Sequence, residues 1–259
     1  MSDRVALVTG ASSGIGTELA KLFAADGHRV MLVARRADRL EALAREIVAA
    51  GGKPPITLAC DLAKPEAGDA IAAALASHGA EVEYLVNNAG YGLSGEGTQL
   101  DRAEQLGMID LNIRALTDLT LRFADTVAQH RGGILNLGSI AGFLPGPGMA
   151  VYYASKAYVI SFSEALHREL GPRGVRVTAL CPGPVPTGFQ ARAGVTPGLD
   201  STLLSVSPER AAREGYRGLM ANRRLVLPGV GVRLIPFLLR FAPRGWVLAS
   251  VGRIQAKRR

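Results

Sequence analysis

Apolar residues in this chain fall into short, dense runs separated by longer stretches of mixed character. Val5-Ala6-Leu7-Val8 is apolar at every position, which suits a strand covered on both faces rather than one with a solvent side. Similar runs extend the series, so strands are expected at 4–9, 28–34, 55–60, 82–87, 133–138, 174–181 and 224–228. Helices are expected between them, over 14–26, 38–50, 66–78, 101–130, 152–171 and 207–221. Strands separated by helices of that length imply right-handed crossovers and a mostly parallel, seven-stranded sheet with helices on both faces. The fold class is α/β. A chain of 259 residues can bury such a core, and no repeat, low-complexity tract or linker divides it.

The first strand runs into Thr9-Gly10-Ala11-Ser12-Ser13-Gly14-Ile15-Gly16, and a helix follows. A strand, a glycine-rich turn and a helix N-terminus together offer backbone N–H groups to a pyrophosphate, which makes the domain a single doubly wound Rossmann-type unit. The spacing is GxxxGxG rather than GxGxxG, and an ordinary glycine-rich loop is the other reading of the motif alone. Further along, Tyr152 and Lys156 are four residues apart, with Ser139 thirteen residues before Tyr152. On a helix, that spacing sets a phenol and an ammonium one turn apart on one face. A cation beside a phenol favours the phenolate, so Lys156 is expected to lower the pKa of Tyr152 from its ordinary value near ~10 and ready it for proton exchange with an alcohol or ketone.

Residues 9–16, Asn87-Asn88-Ala89-Gly90, Asn112, Ser139, the Tyr152–Lys156 pair and Pro182-Gly183 stand in the order and spacing of the short-chain dehydrogenase/reductase family. The chain resembles that family from about residue 3 to about residue 190, or 228 if the last strand is included. The resemblance implies hydride transfer between a nicotinamide cofactor and a carbonyl carbon. It assigns proton exchange to Tyr152, alignment of the same oxygen to Ser139, pKa control and ribose contact to Lys156, and a water link from lysine to solvent to Asn112. It also implies that Gly10, Ser12, Ser13, Gly14, Ile15 and Gly16 hold the pyrophosphate. Asp61 and Leu62 would hold the adenine edge, Asn88, Ala89 and Gly90 the cofactor's length, and Pro182, Gly183, Val185 and Thr187 the nicotinamide end. Tyr153, one residue off the helical register of Lys156, is expected to point away and pack.

Charge at the end of the second strand bears on which cofactor is taken. The usual NAD-selecting carboxylate is missing there, and Arg35 and Arg36 stand in its place, so NADP(H) is favoured over NAD(H) because arginine forks clamp a 2′-phosphate. The nearby Asp38-Arg39-Leu40-Glu41 reads as a capping box opening the next helix. Phe143, Leu144, Met149 and Phe189 are candidates for the substrate wall. The stretch from the proline-rich exit to about Ser207 is expected to form either a mobile substrate loop or a plain connection.

Cys60 and Cys181 lie near the ends of expected strands, spaced for neither a disulfide framework nor a metal site, and the four histidines form no cluster. No metal is expected. The few residues before the first strand are too short for a signal peptide, so a cytoplasmic protein is expected. The other end is unusual. Residues 215–259 hold ten of the 30 basic residues and none of the 22 acidic ones, so the net charge of +8 arises wholly there. The family's tetramer-forming terminal strand has no counterpart, so a homo-oligomer is expected, as a dimer rather than a tetramer. The domain is set at 1–228, and 229–259 is read as a basic amphipathic extension. Arg233, Arg240 and Arg244 are expected to form one helical stripe, with Pro236 and Pro243 each opening a short helix. Such a segment serves as a lid, a subunit interface or a contact at the membrane surface. Nucleic acid is not expected, because the basic residues interleave with aliphatics and no binding motif accompanies them. The functional expectation is NADPH-dependent reduction of a hydrophobic ketone or acyl-type carbonyl. The alternatives are an NAD-dependent alcohol dehydrogenase and a non-catalytic NADP(H)-binding sensor or scaffold.

Overall fold

A computed structural model describes residues 3–194 and 205–256. The order of elements is β1 (Asp3–Thr9), α1 (Gly14–Ala25), β2 (Arg29–Ala34), α2 (Ala37–Ala49), β3 (Ile56–Ala59), α3 (Ala67–Ser77) and β4 (Ala80–Asn87). Then come α4 (Arg102–Ile109), α5 (Leu116–Gln129), β5 (Gly133–Leu137), α6 (Ala150–Leu170), β6 (Arg176–Leu180), α7 (Gly188–Ala193), α8 (Pro208–Met220), β7 (Leu225–Val226), α9 (Val230–Leu239) and α10 (Arg244–Ala256). The seven strands form one sheet in the order β3-β2-β1-β4-β5-β6-β7, parallel at every pairing. This is the doubly wound architecture expected, with the side on which strands are added switching between β1 and β4.

The unbroken apolar runs have a simple cause: β1 is covered on both faces. Ala6 and Val8 pack with Leu19, Phe23 and Leu40 on one side, while Val5 and Leu7 pack with Ile71, Leu119 and Leu166 on the other. Phe23 is fully buried and lies edge-on to Tyr216 at 4.9 Å. Burying a ring of that size contributes roughly 2–3 kcal/mol.

Several elements differ from expectation. The helical stretch expected at 101–130 is continuous but contains a π-helical segment, Asp110–Ala115, between α4 and α5. Helix α2 starts at Ala37, with Arg36 at its cap and no side-chain cap hydrogen bond. Asp38 therefore lies inside the first turn, and the capping box expected at 38–41 does not form. Helix α7 occupies part of the expected connection, opened by a true capping box between Thr187 and Gln190. The remainder of that candidate substrate loop, 195–204, lies outside the described residues. At the other end, Pro236 sits inside α9 rather than at its start, while Pro243 directly precedes α10. Arg244 thus belongs to a different helix from Arg233 and Arg240, and the expected three-arginine stripe is broken.

Candidate active site

Parallel strands bring all their carboxyl ends to one edge of the sheet, and the candidate residues follow these strand ends. A cavity of about 830 Å³ opens there. It is lined by the glycine turn after β1, Arg35 and Arg36 after β2, Asp61 and Leu62 after β3, and Asn88, Ala89 and Gly90 after β4. Ser139 after β5, Tyr152 and Lys156 on α6, and Pro182, Gly183, Val185 and Thr187 after β6 complete this group. Of the residues expected to act in catalysis or hold the cofactor, only Gly16 and Asn112 do not line the cavity.

Both of these act from behind it. A Cβ at Gly16 would collide with the carbonyl of Gly10 and the side-chain amide of Asn88, so glycine lets α1 approach β1 and β4 closely. The Asn88 Nδ2 donates to the carbonyls of Thr9 at 2.9 Å and Gly10 at 3.2 Å, and Thr9 Oγ1 accepts from the backbone N–H groups of Asn88 and Ala89. These bonds fix the turn, where Gly10 and Gly14 take φ of +65° and +59°. Asn112 is buried in the π-helical segment. Its Oδ1 accepts from Tyr91 N at 3.1 Å, and its Nδ2 donates to Tyr91 O at 2.9 Å and Ser155 Oγ at 3.1 Å. It clamps the loop after β4 against α6, the helix that carries Tyr152 and Lys156.

The glycine-turn side fits a dinucleotide phosphate. Ser13 caps α1 in extended conformation without a side-chain cap bond, and no acidic residue occupies the first turn, so the leading N–H groups stay open to an anion. Arg36 donates from Nη2 to the carbonyl and hydroxyl oxygens of Ser12, at 3.1 and 3.0 Å, and so holds a guanidinium beside that turn. Asp38, the only competing carboxylate on this stretch, is exposed on α2, 3.9 Å from Arg39, and does not line the cavity.

The tyrosine side is built from buried side chains. Ser139 caps a short 3₁₀ turn, Ile140–Phe143, accepting from Ala141 N at 3.1 Å, and it lines the cavity beside Tyr152. Lys156 donates from Nζ to the carbonyl of Leu137 at 2.6 Å and lies 5.9 Å from the centre of the Tyr152 ring. Burial pushes the phenol of Tyr152 up to about 12, against a smaller downward pull from Ser139. Burial also holds the Lys156 ammonium down at about 8. The expected depression of Tyr152 by Lys156 is therefore not what this structure has. Desolvation dominates both groups, and the ammonium is directed at a backbone carbonyl.

Met149 and Phe189 line the cavity as expected, with Phe189 5.2 Å from Tyr152 ring to ring. Phe143 and Leu144 do not. Phe143 packs instead against Ile160, Ala179 and Cys181. Cys181 is a free, buried thiol pushed up to about 12 by desolvation; Cys60 is also free and lies at the cavity's edge. Tyr153 does not turn away as expected. It lines the cavity, and its hydroxyl accepts from Gln255 Nε2 on α10 at 2.8 Å. Gln255 and Arg192 line the cavity and were missed by sequence reasoning, as was Gly92, which lies behind the lining against Phe189 and Tyr152. Gly92 had a local signal, since it follows the Asn88–Gly90 segment, and a Cβ there would press on Phe189 at 2.8 Å and Tyr152 at 3.1 Å. Among the described residues, no group of three or more His, Cys, Asp or Glu is placed to hold a metal ion.

Comparison with known proteins agrees with this geometry. Residues 4–196 match the family model described as short chain dehydrogenase. The chain is 40% identical over 225 residues to a sulfoacetaldehyde reductase of Chromohalobacter salexigens, covering 85% of this chain and 83% of that protein. A solved short-chain dehydrogenase from Sphingobium yanoikuyae in complex with NADPH superposes with a TM-score of 0.81 at 34% identity, covering 94% of each chain. The bulky-bulky ketone specific alcohol dehydrogenase from Comamonas testosteroni superposes at 0.77 with 30% identity, covering 93% of this chain and 92% of that one.

Proposed function

Because the chain belongs to the short-chain dehydrogenase/reductase family and is an oxidoreductase, we propose that it reduces a carbonyl bearing an apolar substituent to the alcohol with NADPH, using Tyr152 as proton donor. One observation carries this reading: Tyr152, Ser139 and Lys156 share a single cavity with the glycine turn and with Arg35 and Arg36. When bound, NADPH supplies the hydride. Arg36, fixed on Ser12, and Arg35 beside it would grip the 2′-phosphate, while the open N–H groups at the start of α1 take the pyrophosphate.

The chain's own residues then handle the oxygen. Ser139 Oγ, oriented by Ala141 N, donates to the carbonyl oxygen and aligns it. A phenol held at about 12 stays protonated at neutral pH, which is the form that donates. As negative charge develops on the substrate oxygen, Tyr152 transfers its proton to it, and the product alcohol forms without a free alkoxide. Lys156, one helical turn along and 5.9 Å from the ring centre, is a buried cation that offsets the charge of the resulting phenolate. Asn112 holds the Tyr91 loop against α6 and keeps that helix in register.

The apolar preference is supported by Met149 and Phe189 beside Tyr152. Arg192, a cation on the cavity wall, is already engaged, stacked over Tyr91 at 4.3 Å and paired with Glu104 at 3.4 Å. The Comamonas relative bears a name for bulky ketones and the Chromohalobacter relative one for a sulfonated aldehyde. The two classes can therefore be set against each other directly. Following NADPH oxidation with ketones graded by chain length, and with sulfonated and carboxylated aldehydes of similar size, should give a kcat/KM that rises with apolar length. A preference for the anionic aldehydes would overturn the substrate class, and absence of oxidation with every carbonyl would overturn the reductase reading.

A further inference from the structure

Helix α9 presents its apolar side to solvent. Leu234, Phe237, Leu238 and Phe241 are 57%, 59%, 60% and 74% exposed. Leu234, Phe237 and Leu238 share one face of the helix, and Phe241, in the turn that follows, continues that face with its ring 5.3 Å from Phe237. The helix is anchored on the other side, where Val232 is buried. Helix α10 adds further exposed apolar side chains, Trp246, Leu248 and Ile254, spread around its surface rather than set in one stripe, with Trp246 75% exposed, while Val251 and Gln255 are buried. Seven of the eleven large apolar side chains exposed among the described residues thus belong to these two helices and the turn joining them. A patch of this kind on a folded protein marks a contact surface.

The charges around it select the occupant. Arg240, Arg244 and Arg253 are exposed on the same two helices and their junction, and they form no ion pair among the described residues. No acidic residue occurs from 215 onward, and Lys257, Arg258 and Arg259 add further positive charge in the sequence. A second copy of this chain would bring the same unrelieved cations against one another. An anionic bilayer offers both what the apolar face lacks, an apolar phase, and what the arginines lack, negative charge within a Debye length. No helix is long and apolar enough to cross a membrane, and α9 has only 10 residues. The segment therefore lies in the interface, with the aromatic rings at headgroup depth and the arginine stems extended along it.

We propose that the outward face of α9 and α10 is a docking surface for an anionic lipid bilayer. This inference does not depend on the carbonyl reductase reading, and its test needs no substrate.

Trp246 is the sole tryptophan of the chain, so its emission reports this face directly. The full-length protein should sediment with phosphatidylcholine vesicles containing phosphatidylglycerol, and Trp246 emission should shift to the blue. Pure phosphatidylcholine or molar salt should weaken the association about tenfold or more. The exposed double variant Phe237→Ser/Phe241→Ser should lose vesicle binding while keeping the wild-type circular dichroism and melting temperature. The variant Arg240→Gln/Arg244→Gln should retain the fold and bind anionic vesicles about tenfold more weakly. An unshifted Trp246 spectrum with no co-sedimentation overturns the proposal. So does a dimer in sedimentation velocity that the double serine variant dissolves without any vesicle binding, because a second copy would then cover this face.

Discussion

The glycine-turn side and the tyrosine side of the cavity are made from different materials. On the first, backbone conformation does the shaping. Gly10 and Gly14 turn through positive φ, Gly16 admits a close approach, and the charged groups, Arg35 and Arg36, are exposed. On the second, desolvation shifts the proton affinities of buried side chains, the phenol pushed up to about 12 and the ammonium down to about 8. Alterations at the first side should therefore change what binds and how tightly, screened by solvent and salt. Alterations at the second should change reactivity and the pH dependence of stability.

The largest effect expected belongs to Tyr152→Phe. Removing the donated proton should lower kcat by about 10³-fold, within the range of general acid catalysis, while the affinity for NADPH measured by fluorescence titration stays within twofold. Turnover within about tenfold of wild type would show that the phenol is not the donor and that the two sides do not divide the work in this way.

Lys156→Met sharpens the contrast through stability. The folded pKa of about 8 lies below the unfolded value of 10.5, so the folded chain resists holding this proton. The cost of the buried ammonium is fully present below about pH 8, shrinks as pH rises, and vanishes above 10.5. That cost is roughly 3 kcal/mol, offset by about 1 kcal/mol when the Leu137 carbonyl loses its donor. At pH 7 the variant should melt about 5 °C higher than wild type, and the gap should close between pH 8 and 10.5. A pH-independent difference in Tm across that window would place the effect in packing rather than in the proton.

Arg36→Ala tests the exposed side, through cofactor affinity alone. Loss of one charge-assisted phosphate contact is worth about 1.5–3 kcal/mol, so KM for NADPH should rise about 10- to 100-fold while KM for NADH stays unchanged. Equal changes for both cofactors would mean that Arg36 serves the Ser12 turn rather than the 2′-phosphate.

How much of this could be read in the sequence follows from how far each interaction reaches. The strands were legible because burial on both sides leaves a local trace, and observed ends fall within a few residues of the expected ones. The glycine turn, Ser139 and the Tyr152–Lys156 spacing were legible because each is a short, local pattern. Gln255 was not, since its bond to Tyr153 spans 102 residues and no periodicity announces it. The mutual influence of Tyr152 and Lys156 was misjudged for a related reason. Spacing along a helix gives proximity, but it does not say that Nζ is committed to Leu137 or how much water has been excluded. Asp38 and Pro236 show a smaller limit, because a helix capped two residues earlier, at Arg36, or begun six residues earlier, at Val230, changes an expected start into an interior position.

The bond between Gln255 and Tyr153 makes α10 a lever as well as a wall. Its inner end grips the phenol next to Tyr152, and its outer end carries Trp246. A molecule that braces Tyr153 from inside and a contact that tugs α10 from outside work on the same joint. Linkage makes such influence mutual: whatever factor one event imposes on the affinity of the other is returned in equal measure.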